Sequence, residues 1–403
     1  MDDTLLYRRC SGVVKECSTG WSRDAPCRMI NGAMRIHDKD ARRFRAALLS
    51  WYDANRRDLP WRRTRDPYAI WTSEVMLQQT QVSRVAEYWP RFLARFPTVR
   101  ALAEASPDDV LAEWSGLGYY RRARMLRSAA RVVVEELGGT IPATARGLRR
   151  LPGMGAYTSA AVASIGFGEA VPAVDANAAR VLARVLGLRG DVSRAEGRRA
   201  IESEAGRLVD PRRPGDFNQG VMELGALVCT PSAPDCDGCP VARFCAAGAS
   251  RDPASYPAPA ASLRRVELRE AIAVVRRGAA ILLERQARAR GWWQGLWILP
   301  RSPLRPGEDP RATLEAALLD RFGIRCRLAD APVERTYTVT NHRVTAVAFT
   351  GVWVEGAAGT ECHARWVPPE ELASIALPAP DRAIIDQTLR RDTLPGVRRG
   401  PAG

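Results

Sequence analysis

From about residue 41 to residue 245, apolar side chains recur at three-to-four spacing, the period of helices that bury one face. The pattern predicts helices over Arg42–Arg56, Tyr68–Gln81, Ser83–Phe96, Asp108–Ser115, Arg121–Leu137 and Thr158–Gly166. Proline and glycine punctuate them at Pro60, Pro97, Pro107, Gly116, Gly138–Gly139 and Pro142. The run Asp-Pro-Arg-Arg-Pro-Gly at 210–215 reads as a loop, and Val221–Val228 as a further apolar, helix-like run. Residues 246–265 are rich in Ala, Pro and Ser, which is linker composition. Beyond them the period changes. Glu270–Val275 and Ala279–Glu284 read as short strands around a turn at Arg277–Gly278, Val344–Val354 as a β-rich run and Pro310–Phe322 as one helix.

A multi-domain chain follows: an all-α domain at 41–245, a linker at 246–265 and a mixed α+β domain at 266–390. Residues 1–40 show neither period and read as a disordered extension, with Met29 or Met34 as alternative starts; 391–403 read as a disordered tail. No stretch approaches the ~20 apolar residues of a membrane span. The charged N-terminus lacks a secretory pattern, so the expected compartment is the cytoplasm.

Charge sharpens this picture. A net charge of +15 and a pI near 10.0 point to a polyanionic partner, nucleic acid before any other. An arginine-rich genome would produce the same excess. Of the 60 basic residues only Lys15 and Lys39 are lysine, so 58 are arginine. The helical domain beyond residue 39 therefore has no lysine with which to form a Schiff base.

Cys229, Cys236, Cys239 and Cys245 lie within 17 residues, with gaps of six, two and five. A Cys-x2-Cys pair flanked at short reach can converge four thiolates on one centre. Soft thiolates select an iron–sulfur cluster or zinc. Facing Cys-x2-Cys knuckles would favour structural zinc, and this spacing differs from them. Disulfides belong to oxidising compartments. Cys10, Cys17 and Cys27 have no ligand-like spacing.

Three further places carry chemistry. In Leu151-Pro-Gly-Met-Gly-Ala-Tyr-Thr158, Gly153 and Gly155 permit a hairpin that presents backbone N–H groups at a helix N-terminus, a phosphate site. An ordinary interhelical turn has the same spacing. Asp175, after Val171-Pro-Ala-Val, is either a helix N-cap or a dipole-stabilised carboxylate facing positive charge, or both. Glu74 shares a helix face with Trp71, Val75 and Gln78, so it is either a solvated surface residue or a buried acid of raised pKa.

Taken together, Ser-Glu-Val-Met-Leu-Gln-Gln-Thr-Gln (73–81), Gly-Leu-Gly-Tyr-Tyr-x-Arg-Ala-Arg (116–124), Leu-Pro-Gly-Met-Gly (151–155), Val-Asp-Ala-Asn-x-x-Arg-Val (174–181) and the cysteine set resemble adenine DNA glycosylases of the MutY type. The resemblance runs from about 45 to 300 and weakens beyond. It implies a helix-hairpin-helix glycosylase core similar to endonuclease III, one [4Fe-4S] cluster on the four cysteines and a Nudix-like second domain. It implies a monomer acting on double-stranded DNA that carries adenine mispaired with 8-oxoguanine or guanine. By the same resemblance Glu74 is the general acid that protonates adenine. Asp175 stabilises the oxocarbenium-like sugar through a transient covalent adduct, and Tyr157 and Asn177 support both. Gln79 wedges into the duplex, Tyr119 stacks beside the orphaned base, and Trp61, Arg62 and Gln219 line the adenine pocket. Arg243 is a candidate phosphate contact. Endonuclease-III-like lyases carry lysine where this chain has Tyr157, so the expected enzyme is monofunctional.

Two departures matter. Gly291-Trp-Trp-Gln-Gly-Leu-Trp-Ile-Leu-Pro300 resembles a family motif, yet Ala316, Ala317 and Arg321 stand where a Nudix magnesium site needs charged ligands, leaving Asp320 alone. The second domain should bind rather than hydrolyse. Where the family places Phe-Ser-His to inspect 8-oxoguanine, this chain has Val339-Thr340-Asn341, followed by His342. Threonine keeps a hydroxyl, asparagine an N–H donor, and the aromatic ring is lost. A lyase, or a module that binds lesions without cutting, are the rival readings.

Overall fold

Capping residues and first-turn prolines set where the helices begin. In the computed structural model, which describes residues 27–30, 33–192, 194–250, 252–258, 264–286, 292–356 and 364–392, Asp66, Thr98, Ser106, Thr144 and Asp175 each accept a backbone N–H from the turn they open. Pro67, Pro107 and Pro214 take first helical positions, where a missing N–H costs nothing. The helices are α1 (Asp38–Asn55), α2 (Pro67–Leu77), α3 (Val82–Arg95), α4 (Val99–Glu104), α5 (Pro107–Glu113), α6 (Arg121–Glu135), α7 (Ala145–Leu148), α8 (Ala156–Gly166), α9 (Ala176–Leu186), α10 (Ala195–Leu208), α11 (Pro214–Leu227) and α12 (Ala246–Ala249).

They bury two separate cores. Trp71, Phe92, Trp114, Leu126 and Val162 join α2 to α8 in one. Phe44 and Leu48 of α1 meet Val181, Val185, Leu208, Phe217 and Leu224 of α9, α10 and α11 in the other. Full burial of each such side chain is worth about 1.5–3 kcal/mol, so each core suffices to hold its own subdomain. The first helix thus returns to pack against the last. Glycine permits the closest approach: a Cβ on Gly225 of α11 would stand 2.8 Å from the Cβ of Asn177 on α9. The space between the subdomains is bounded by α2 and α8 on one side and α9 and α11 on the other.

The second domain is a mixed sheet covered by helices on both faces. Its strands are β3 (Val266–Arg277), β4 (Ala280–Arg285), β5 (Trp297–Ile298), β6 (Arg301–Pro303), β7 (Arg325–Leu328), β8 (Val333–Val339), β9 (His342–Glu355) and β10 (Ala364–Val367), after a hairpin of β1 (Cys27–Ile30) and β2 (Ala33–Ile36) at the start of the chain. The order is β10-β4-β3-β9-β7, with β5 on β4, β6 on β3 and β8 on β9. Parallel pairing of β3 with β9 runs from Val266↔His342 to Arg276↔Val352. Helix α13 (Pro310–Phe322) covers one face through Leu314, Leu318 and Phe322, and α14 (Ala379–Asp392) the other through Ile384 and Ile385.

The two domains share a seam. Leu296, Ile298 and Ala376 enter the first helical core, Tyr120 Oη donates to Leu377 O at 3.1 Å, and Arg285 pairs with Asp108. Among the described residues no helix is long and apolar enough to cross a membrane.

Three expectations need correction. The extension expected to be disordered to residue 40 instead ends in the β1–β2 hairpin, and Ile36 is buried with its N–H on Glu204 Oε1 at 3.3 Å. Four-residue strands are too short to show an alternation. Residues 1–26, and the expected tail beyond 392, lie outside the described residues. The first part of the expected linker is packed: Arg184 Nε donates to the carbonyls of Pro253 and Tyr256 at 2.9 and 3.0 Å, which ties the segment to α9. Last, the helix expected through Gln81 stops at Leu77, for a reason given below.

Candidate active site and DNA-facing cleft

Helix α2 is buried from Tyr68 to Met76 on every side, so Glu74 is forced inward and is only 5% exposed. Its Oε2 accepts a 2.6 Å hydrogen bond from Tyr157 Oη of α8, which also lies 3.6 Å from Met222 Sδ of α11. Burial pushes the Glu74 carboxyl up to about 7; the charge of Asp175 adds to the rise, while the Tyr157 bond and Arg62 pull against it. The surface reading of Glu74 is excluded.

Asp175 caps α9 and accepts the Ala178 N–H at 2.7 Å on Oδ1. Burial raises its pKa, and the Ala178 N–H and Arg180 draw it back. It is therefore the cap that the sequence suggested, and its charge also reaches Glu74 and Tyr157. Asn177 Oδ1 is held by Arg180 Nη2 at 2.8 Å, and Arg180 Nε by Cys229 O at 3.0 Å.

One feature of the site was missed. Arg57 and Arg62 both fork onto Glu223 of α11, with contacts from 2.7 to 2.9 Å, and Glu223 is 1% exposed. Burial works against its charge, but the two guanidinium groups win and hold the carboxyl down at about 2. The available signal was an acid inside the apolar run 221–228. Arg62 Nε is buried and has no hydrogen-bond partner among the described residues. Trp61, by contrast, packs edge-on to Trp89 at 6.3 Å in the first core. Gln219 is half-buried on α11, one turn before Glu223. Asn218, also unforeseen, is fully buried and fixes the segment leading to Asp175 through Ala173 N and Val171 O.

The glycine hairpin has the expected geometry. Gly153 sits at φ +75°, where a Cβ would strike Met125 at 2.6 Å. Gly155 opens α8 with no side chain capping the helix, and a Cβ there would meet nothing within 4 Å. An uncapped N-terminus in open space suits a phosphate.

At the end of α2 the chain turns because Arg122 of α6 intercepts it. Its guanidinium donates to the carbonyls of Val75 (3.0 Å), Met76 (2.7 Å) and Gln78, then to Thr80 Oγ1 (3.0 Å) and to Leu117 O and Gly118 O (3.1 and 3.0 Å). The guanidinium thus satisfies carbonyls that the end of the helix leaves without an intrahelical partner. Gln79 and Tyr119, on either side of this arginine, both adopt left-handed backbone at φ +56° and +48°. Such conformations are uncommon outside glycine and cluster where structure over-determines them.

Gln79 and Tyr119 line a cleft of about 720 Å³ between the domains; Trp292, Trp293, Thr338, Val339 and Thr340 line its other wall. Thr340, at φ +55°, is the tip of the β8–β9 hairpin and faces this cleft. Asn341 does not line it. Its amide N–H is spent on Arg264 O at 2.9 Å, and its Oδ1 accepts from the Thr340 hydroxyl at 3.3 Å.

The four cysteines carry no disulfide. Cys229, Cys239 and Cys245 pack against the second core, and each of the four thiols lies in the electrostatic field of others in the set. Arg184 Nη1 donates to Cys229 Sγ at 3.3 Å. Among the described residues no three of His, Cys, Asp or Glu close tightly enough to grip a single metal ion. Arg243, between the last two cysteines, is exposed and lies over the Phe244 ring at 4.5 Å.

Comparison with known proteins follows this geometry. A model described as HhH-GPD superfamily base excision DNA repair protein matches residues 72–208, and one described as NUDIX domain matches 271–387. An adenine DNA glycosylase of Homo sapiens is 46% identical over 255 residues, 59% of this chain and 47% of that protein. One of Rattus norvegicus is 51% identical over 217 residues, 52% of this chain and 42% of that protein. One of Mycolicibacterium smegmatis is 43% identical over 197 residues, 49% of this chain and 67% of that protein. The chain spans about half the length of the mammalian relatives it matches. The first of the two family models spans Glu74, Tyr157 and Asp175, and with the Mycolicibacterium smegmatis protein matched over 67% of its length the chain belongs to the adenine DNA glycosylase family.

Proposed function

We propose that this chain hydrolyses the N-glycosidic bond of adenine mispaired with 8-oxoguanine or guanine in double-stranded DNA, as a monomer and without strand cleavage. The observation that carries the reading is a buried glutamic acid, pushed to about 7, placed beside a second carboxyl at a helix cap. Two carboxyls whose environments separate their roles are the chemistry of glycoside hydrolysis. Adenine leaves the stack to reach them. Glu74 gives its proton to the purine ring, the bond from sugar to base breaks with its electron pair leaving on adenine, and Asp175 meets the cationic sugar carbon. Water then adds at that carbon and its proton returns to the Glu74 carboxylate. Tyr157 orients Glu74 and stands where a lyase would need lysine; the chain has none beyond Lys39. Arg62 and Glu223 supply hydrogen bonds at the base, and Gln79 and Tyr119 fill and flank the gap it leaves.

The cysteine set fits a [4Fe-4S] cluster. The free thiols of Cys229, Cys239 and Cys245 gather against the second helical core, and soft thiolates would supply the ligands that iron in such a cluster takes. The Arg184 N–H on Cys229 is the kind of bond that tunes such sulfurs. Bound there, the cluster would cross-link the 229–245 loop. Cys229, Cys236, Cys239 and Cys245 would hold it, and the loop would keep Arg243 available to phosphate. In the second domain Arg321 pairs with Glu284 rather than presenting a carboxylate, in keeping with binding without hydrolysis.

A single-turnover assay tests this. The wild type should release adenine opposite 8-oxoguanine and guanine, and Glu74→Gln should keep duplex affinity while losing about 10²-fold or more in rate. Tight binding without adenine release by the wild type would establish an inspection module instead. A borohydride-trapped adduct would establish a lyase.

A further inference from the structure

We infer that the Trp292–Trp293 turn of the second domain is the aromatic wall on which this protein stacks the base opposite the target adenine, a purine in the lesion-bearing strand. The inference rests on the glycosylase reading and specifies how its specificity site is built. The cleft has Tyr119, 48% exposed, on its helical side. On the opposite side the hairpin tip contributes Val339 and Thr340 but no ring, and the second domain's aromatic lining comes from Trp292 and Trp293 alone among the lining residues. A flat base between Tyr119 and Trp292 would have a π-face on each side, and a purine's two fused rings overlap an indole more fully than a pyrimidine's one, with base–aromatic stacking worth about 1–3 kcal/mol.

The wall is built to stay in place. His342 meets Trp292 at 5.0 Å and 68°, Trp292 meets Trp293 at 6.0 Å, and Trp293 meets Tyr337 at 5.9 Å. Beneath Trp293 lies Arg301, 4.7 Å from the ring centroid, itself locked to the buried Asp381 and to Glu270. Tyr337 donates to the same Glu270. Trp293 is held at φ +62°, and Arg124 of α6 reaches across the seam to the Gln294 carbonyl and, at 3.3 Å, its Oε1. Nδ1 of His342 also lies 3.3 Å from the Thr340 hydroxyl, which links the wall to the hairpin tip. His342 is thus a positioning residue for Trp292.

The test is equilibrium binding of the full chain to duplexes that carry an uncleavable abasic-site analogue opposite 8-oxoguanine, guanine or cytosine. Trp292→Ala should lower the preference for the purines over cytosine about tenfold, Trp292→Phe should hold it within about threefold, and His342→Ala should fall between. An unchanged preference in Trp292→Ala would overturn the inference. So would equal losses on all three duplexes, or a phenylalanine variant no better than alanine, since either marks a packing defect. Because binding is read without turnover, a wild type that never releases adenine defeats the glycosylase reading while leaving this result interpretable.

Discussion

Glu74 is an acid near neutrality because the helix carrying it has no solvent-facing side, and the lost hydration outweighs the pull of the Tyr157 hydrogen bond and of Arg62. Its pKa sets a direction for activity. In the proposed general-acid role, the proton that Glu74 donates is present below about 7 and lost above it, so the single-turnover rate should descend about tenfold per pH unit on the alkaline side. A profile flat to pH 9 would mean another group supplies the proton. Thr340 offers a second residue-scale check. A β-branched side chain at φ +55° is strained, and glycine adopts that backbone freely. Thr340→Gly should raise stability by about 1 kcal/mol in denaturant unfolding, and a loss of stability would remove the strain argument.

At the scale of elements, one guanidinium joins three segments. Arg122 binds the end of α2 and the 116–119 turn together, between the two left-handed residues Gln79 and Tyr119. Arg122→Met keeps the stem but leaves several buried carbonyls unsatisfied, which should cost about 3 kcal/mol and lower duplex binding tenfold or more. Lysine should do no better, since a single ammonium cannot bridge both segments. Should Arg122→Met bind the duplex normally, the turn does not depend on this residue. The Arg57–Glu223–Arg62 fork works in the same way. It was readable only as an odd acid in an apolar run, because its partners lie more than 160 positions away.

The whole molecule packs three bodies, two helical and one sheet-based, and carries excess positive charge. Neutralising phosphates releases counterions, so duplex affinity should fall steeply and linearly on a log–log plot against salt. Arg124 is one of the contacts that join the helical and sheet domains, through the Gln294 carbonyl and Oε1. Arg124→Ala should leave adenine release opposite guanine within a few-fold while reducing the preference for 8-oxoguanine about fivefold in single-turnover rates; equal effects on both would assign Arg124 to the chemistry rather than to the seam.

Several features were determined by sequence alone. Helices from about 41 to 245, the change of period beyond the linker, the capping aspartate at 175 and the glycine hairpin all depend on local spacing and backbone preference, which the chain encodes within a few residues. Cysteine spacing and the missing lysine bounded the chemistry in the same way. Tertiary structure alone decided whether Glu74 is wet or buried, where α2 stops, that Asn341 lies outside the cleft lining while Trp292 is part of it, and that Pro253 and Tyr256 are tied to α9. Each of these is set by contacts between distant segments. Desolvation and hydrogen-bond capture depend on what lies across the fold, and no local pattern carries that information.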